Sequence, residues 1–310
     1  SFFTLENILI SHDELKKENS LTSKGKIFNI RFTFDWKYDE NSNEKITKIK
    51  FNSLKLNLLN KSKKNDKLKN LLINFKRSKL NTEYYFEKDS VTVKSKNSFL
   101  GTNKFDYDGK INLDPFDFQI ESKIQKFDLR KVIPNKNMLD EIFSREFLLN
   151  ENFNGRFTIA SNNLNNGNFF NEILVNLNYV GEKIELSNTK LFNKKIGSLN
   201  IDYGNIYLEE NDLFFKGKFS FEIFDKNKFY RKFLVSKKNQ KDIEKIYFGL
   251  IYNLSKFDTK IFFISLNDDK PETNDNLDNL IYSFNNNSIS VNNWISLRSF
   301  VNKILSSYPG

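Results

Sequence analysis

The chain has 310 residues, 38% of them hydrophobic and 28% charged, with a net charge of +10, one histidine and no cysteine. The apolar share is below the roughly 45–50% usual for a thick globular core, and the missing cysteines exclude disulfides, thiolate metal sites and cysteine nucleophiles together. No run approaches the roughly 18–20 apolar residues that span a bilayer as a helix. The apolar residues are skewed toward 33 Phe against 1 Met and 2 Trp, a composition that suits thin sheets with one greasy face.

Alternation with period two, the mark of half-buried strands, dominates from there on. The run Ile27–Phe34 puts Phe28, Ile30, Phe32 and Phe34 on one face of a single predicted strand. Ile49 and Phe51 follow, then Leu54, Leu56 and Leu58 with a change of parity between the sets. The lysine-rich stretch Lys61–Lys69 lies between apolar segments and reads as a solvated connection. Tyr84-Tyr85-Phe86 leads through Asp89-Ser90 to Val91-Thr92-Val93. The clearest unit is Gly109–Ile120. Proline fixes φ and lacks an N–H, so Asp114-Pro115 belongs at a turn. Ile111 and Leu113 then share a hairpin face with Phe116, Phe118 and Ile120.

After Pro134, the spacing of Met138, Leu139, Ile142 and Phe143 predicts a short helix. Strands resume with Phe153, Gly155, Phe157 and Ile159, then Ile173, Val175, Leu177 and Tyr179. Ile184-Leu186, Leu199-Ile201-Tyr203 and Ile206-Leu208 read as short strands. Leu213, Phe215, Gly217, Phe219, Phe221 and Ile223 form a long one, and so do Ile246, Phe248, Leu250, Tyr252 and Leu254. Asn- and Gly-rich links supply the φ > 0 positions that tight turns need. Helical spacing returns at Phe229, Tyr230, Phe233 and Leu234, and again at Leu277, Leu280, Ile281 and Phe284. Asn292-Asn293 caps a last predicted helix carrying Trp294, Leu297, Phe300, Val301 and Ile304. Pro271 and the acidic, Asn-rich residues after it mark the one boundary. The expectation is a β-rich region over 1–270, then an acidic linker and helical tail over 271–310.

The residues of most active sites are missing. His12 has no second His or Cys to work with. There is no Gly-x-Ser-x-Gly, no phosphate-cradling glycine loop and no His-Glu-x-x-His. Asp106, Asp108, Asp114 and Asp117 lie close together without the spacing of a calcium loop, and turn chemistry accounts for them. We expect no enzyme, no cofactor and no metal. The lysines are spread along the whole chain among Asn and acids, so specific nucleic-acid binding is not expected either.

The stretch Tyr107–Ile120, running on to Lys126-Phe127-Asp128-Leu129, resembles the AsmA-like family of bacterial envelope proteins (the AsmA, TamB and YhdP types). The shared form is Gly-x-apolar-x-apolar, a turn, a second alternating strand and a Phe-Asp-Leu exit. Asn154–Ile159 is similar to the next such strand. Lys194–Leu199 with Asn205–Leu208 resembles the late β-units of α-proteobacterial members, and Asn292–Leu297 their C-terminal tail. The resemblance covers roughly residues 100–310, the C-terminal part of such a protein. It implies a periplasmic chain, held at the inner membrane by an anchor expected upstream, with no catalysis. It implies a greasy β-groove that shields phospholipid or other acyl lipid during transfer between membranes in outer-membrane biogenesis, together with envelope proteins at either membrane.

The fold expected is mainly β: successive antiparallel hairpins forming a curled, elongated sheet or groove, a few short helices and a helical C-terminal tail. Groove-lining candidates are Ile111, Leu113, Phe116, Phe118, Ile120, Phe157, Phe215, Phe219 and Phe221. Alternation looks the same whether the apolar face meets lipid or another sheet. A structural or interaction β-sandwich is therefore the competing reading, followed by a β-rich carbohydrate-active enzyme.

Overall fold

The computed structural model describes residues 3–27, 30–126, 154–164, 169–210, 212–256, 258–267, 275–286 and 294–308. The chain is mainly β, with successive antiparallel hairpins and, among the described residues, three α-helices, two of them near the C-terminus. Its contacts divide it into two compact units, Ser1–Gln125 with Glu141–Phe157 and Lys126–Asp140 with Thr158–Gly310. The helices beyond Pro271 pack into the second unit's core. The short helix expected at Met138–Phe143 lies outside the described residues.

The first unit contains β1 (Phe3–Asp13), β2 (Glu18–Ile27), β3 (Ile30–Asp39), β4 (Glu44–Phe51), β5 (Leu56–Lys63), β6 (Lys69–Phe75), β7 (Ser78–Phe86), β8 (Ser90–Ser95), β9 (Phe99–Leu100), β10 (Asn103–Leu113) and β11 (Phe116–Ile124). Each strand from β1 to β8 pairs antiparallel with the next, β8 pairs with β10, and β10 with β11. The two-residue β9 fills in beside β7 and β10. The run expected as one strand over Ile27–Phe34 is two, since Ile27 and Ile30 are antiparallel partners. Apolar alternation runs across the junction without Gly or Pro, so the break carries no signal. Other connections hold left-handed residues at Lys17, Asn43, Lys55 and Lys76. Asn tolerates that conformation, while lysine carries a Cβ cost of roughly 1–2 kcal/mol.

The strand β12 (Asn154–Ser161) is divided between the units at Phe157/Thr158. The second unit continues with β13 (Glu172–Val180), β14 (Lys183–Leu186), β15 (Thr189–Asn193), β16 (Gly197–Glu209) and β17 (Asp212–Ile223). Then come α1 (Lys226–Phe233), β18 (Lys245–Asn253), β19 (Asp258–Leu266), α2 (Asp275–Asn286) and α3 (Trp294–Ser307). The short β14 and β15 both bridge β13 and β16, and β16 through β19 pair in sequence order. The two short strands expected over Leu199–Leu208 are the single β16. A bulge at Asp202 adds one residue between Ile201 and Tyr203 and changes the parity. Such a bulge imitates a strand break in the alternation.

The second unit has a covered core. Asp225 starts α1 by accepting the Lys228 backbone N–H at 2.9 Å, and Leu234 ends it in the left-handed conformation. The inner residues Phe229 and Phe233 are 0% and 2% exposed. Acidic Asp275 and Asp278 sit in the first turn of α2, where the helix dipole favours them. Leu277 and Phe284 of α2 join Phe300, Ile304 and Leu305 of α3 over Ile246, Ile261, Ile264 and Leu266. The Asn302 amide donates to the Phe233 carbonyl at 2.8 Å and so ties α3 to the end of α1. The edge of β19 is closed by a side chain. Asn285 accepts from the Ile261 N–H at 2.8 Å and donates to its carbonyl at 2.9 Å, in place of a further strand.

Candidate functional site

The hairpin of β10 and β11 forms as the sequence predicts. Ile111 faces Phe118, Leu113 faces Phe116, and Gly109 faces Ile120. Side chains on a strand alternate between faces, so all five predicted residues lie on one side. Phe118 is buried, Ile111 and Ile120 are half-buried, and Leu113 and Phe116 at the turn are 50% and 38% exposed. Gly155 of β12 stands against this face: a Cβ there would lie 2.4 Å from the Phe118 ring, so a side chain is excluded. Phe157, two residues on and of like parity, is half-buried.

Pairing carries the same face through the first unit, well before residue 100. Ile111 faces Val91 of β8, and Val91 and Val93 face Phe86 and Tyr84 of β7. Leu80 faces Ile73 of β6, Ile73 and Phe75 face Leu58 and Leu56 of β5, and these face Ile49 and Phe51 of β4. Ile49 faces Phe34 and Thr47 faces Trp36 of β3. Trp36 faces Leu21 of β2, and Leu21 faces Ile10 of β1. The opposite face is polar: Lys24, Thr33, Lys50, Asn57, Asn74 and Lys79 oppose one another in turn across six strands. Ion pairs such as Lys110–Glu87 (2.7 Å) and Lys37–Glu18 (2.7 Å) lie on the exposed side.

The described strands of this unit belong to one sheet, and most side chains of its apolar face are half-buried. Substantial contacts between its elements are those of neighbouring strands. Phe34, Trp36, Ile49, Leu58, Ile73 and Val93 are half-buried, while Phe32, Phe105 and Phe118 of the same face are buried, like the second unit's core residues. The size of the face decides its meaning. Strands about 4.8 Å apart, with like-facing residues about 6.8 Å apart, give each position a footprint of roughly 33 Å². Ten strands with about four such positions cover on the order of 1,300 Å² in plan. The largest apolar patch on an ordinary soluble monomer is about 300–600 Å².

Polar groups that interrupt the face bond to each other. The Asn60 amide donates to the Tyr84 hydroxyl at 2.6 Å, and Thr82 shares a hydrogen bond with Tyr107. Burial pushes the Tyr84 hydroxyl pKa up, and the Asn60 bond opposes the shift. The hydroxyl therefore stays neutral, and Lys69, across from Tyr84, places an ammonium group on the same face 4.9 Å from the centre of the Phe86 ring.

The three candidates in the second unit have different surroundings. Phe215 and Phe219 belong to a cluster with Leu186, Ile201 and Phe248, and the Phe219 and Phe248 rings stack at 4.9 Å. Gly204 and Gly217, paired across β16 and β17, leave room for the Phe215 ring. Phe221 corrects the expectation of an uncovered face. It lies against Phe169 and Phe229 in the core closed by the helices. A residue's strand parity does not reveal whether a distant helix folds over it.

His12 is exposed, with Nδ1 2.9 Å from the Asn19 side-chain oxygen. Asp106 pairs with Lys104 at 3.0 Å on the polar face. Among the described residues no group of three or more His, Asp or Glu could hold a metal ion, and no helix is long and apolar enough to cross a membrane. No family model matches the chain, and no curated protein matches it.

Proposed function

We propose that the chain is a non-catalytic binding protein whose first unit holds the acyl chains of a lipid against its apolar face. The observation that carries this reading is the apolar face running strand to strand from Ile10 to Ile120, most of whose side chains are half-buried or exposed rather than closed off. Burying a methylene there is worth about 0.8 kcal/mol, so an acyl chain of ordinary length gains enough without polar contacts. The polar opposite face keeps the sheet in water. The envelope setting, and transfer of phospholipid between membranes with protein partners, rest on the resemblance of residues 100–310 to the AsmA-like family. The competing β-sandwich reading needs a second layer. In the first unit the half-buried apolar positions favour the single layer.

Charged substitutions on the face test the proposal. Phe34→Asp and Leu58→Asp put a carboxylate where water reaches it, so the fold survives. In a closed core the same change costs several kcal/mol. The expected result is unchanged circular dichroism and thermal midpoint, with loss of the lipid that co-purifies with the parent chain. Unfolding by both substitutions, with no lipid on the parent, refutes it.

A further inference from the structure

The polar face of the second unit carries a concavity that the apolar-face reading does not use. Its volume is about 440 Å³, within the roughly 300–1,000 Å³ of small-ligand sites. One cross-strand row forms its floor: Lys190 of β15 faces Asn200 of β16, Asn200 faces Ser220 of β17, and Ser220 faces Tyr247 of β18. Ser220, a small side chain, sits at the centre and is 6% exposed. Beside it lie Lys218, across from Tyr203, and Lys245, across from Glu222. Two strand irregularities shape the wall. The bulge at Asp202 brings a carboxylate to the polar face beside Tyr203, where it accepts the Ser220 hydroxyl at 3.0 Å. The second leaves Phe262 of β19 unpaired opposite Gly249/Leu250, and the Phe262 and Phe263 rings both lie against Gly249, where a Cβ would be 2.3 and 2.5 Å from them. Bulges re-aim side chains in this way beside binding sites.

The charges decide the ligand. Lys190, Lys218 and Lys245 line the concavity against the single carboxylate of Asp202. Among the described residues none of the three ammonium groups has an ion-pair partner, although lysines elsewhere pair readily. Glu222, directly opposite Lys245, is not bonded to it either. Lys218 instead lies 5.7 Å from the centre of the Phe263 ring. Ammonium groups that converge on one concavity can hold a phosphate by charge and hydrogen bonds. Tyr247 and Phe263 offer apolar ring surface, and Asn200 and Asp202 offer a donor and an acceptor suited to hydroxyl groups.

We propose that this concavity binds a phosphorylated sugar, its phosphate held by Lys190, Lys218 and Lys245 and its ring against Tyr247 and Phe263. The same chemistry occurs in a soluble sugar phosphate and in the headgroup of a phosphorylated glycolipid. The site does not depend on the apolar face of the first unit.

The test is calorimetric titration of the full chain with glucosamine 1-phosphate, glucosamine and inorganic phosphate. A parallel arm uses phosphatidylcholine vesicles with and without a glycolipid bearing phosphorylated glucosamine. Glucosamine 1-phosphate, or the glycolipid vesicle, is expected to bind about tenfold more tightly than glucosamine, inorganic phosphate or plain vesicles. Lys218→Ala and Lys245→Ala should each weaken it about tenfold at an unchanged thermal midpoint, as for loss of one charged hydrogen bond. Tyr247→Ala should abolish the preference over inorganic phosphate. Binding of glucosamine 1-phosphate without the glycolipid vesicles identifies a free sugar phosphate, and binding to the glycolipid vesicles identifies the headgroup; each supports the site. Equal affinity for inorganic phosphate, indifference to both lysine substitutions, or no saturable binding in either arm overturns it.

Discussion

The edge of β19 is closed by one side chain, and removing it should be measurable in two ways. Asn285 of α2 satisfies both the N–H and the carbonyl of Ile261, at 2.8 and 2.9 Å, and Ile261 itself is 3% exposed. Asn285→Leu removes both bonds and leaves two backbone groups without partners. An unsatisfied buried group costs about 1–3 kcal/mol. Because Asn285 is only half-buried, water recovers part of this, and the expected loss is about 2–3 kcal/mol. Urea unfolding followed by circular dichroism measures it, with Asn285→Asp as a control that keeps the acceptor and loses the donor. An open edge is also a template for strand addition, so the Leu variant should self-associate at concentrations where the parent is monodisperse. A loss below about 0.5 kcal/mol, with no change in association, would refute the edge-closing role.

Other consequences follow from the helices and turns. Phe229→Ala empties a site that is 0% exposed among Phe169, Phe221 and Phe233, and should cost about 3–5 kcal/mol in chemical denaturation. Asp225 is held below the usual carboxylate range by its side-chain bond with Lys228 and then by the backbone N–H it caps. A depressed folded pKa contributes stability above the unfolded value, and that contribution is lost as pH falls through the folded value. Helix α1 should thus loosen in acid, read by hydrogen exchange at Phe229 and Tyr230, and Asp225→Asn should remove that pH dependence while keeping the cap. Lys55→Asn relieves a left-handed lysine and should stabilise the first unit by about 0.5 kcal/mol, seen as a raised urea midpoint.

The β10–β11 hairpin was legible because Pro115 marks its turn and fixes the parity on both sides. The helices α1 and α2 were legible because Phe229/Phe233 and Leu277/Phe284 repeat at helical spacing. The Ile27/Ile30 junction was not, since a connection without Gly or Pro leaves the apolar alternation intact. Nor was the bulge at Asp202, which shifts parity by one residue and so mimics two strands. The apolar face was visible from Ile111 to Ile120 but not as a layer starting at Ile10, because its continuity lies in cross-strand register rather than in any one segment. The lysine-lined concavity was hidden for the same reason. Its residues come from five strands, and each lysine by itself resembles the many solvated ones.

A photoactivatable fatty-acid probe tests the proposed acyl-binding face most directly. After irradiation with the full chain, labelled peptides are located by mass spectrometry. Labels are expected on Phe34, Ile49, Leu58, Val93 or Ile111, competed away by unlabelled phospholipid and absent from polar-face residues such as Lys50 and Asn74. Labelling spread evenly over both faces, or confined to the second unit, or unaffected by competing lipid, would contradict it.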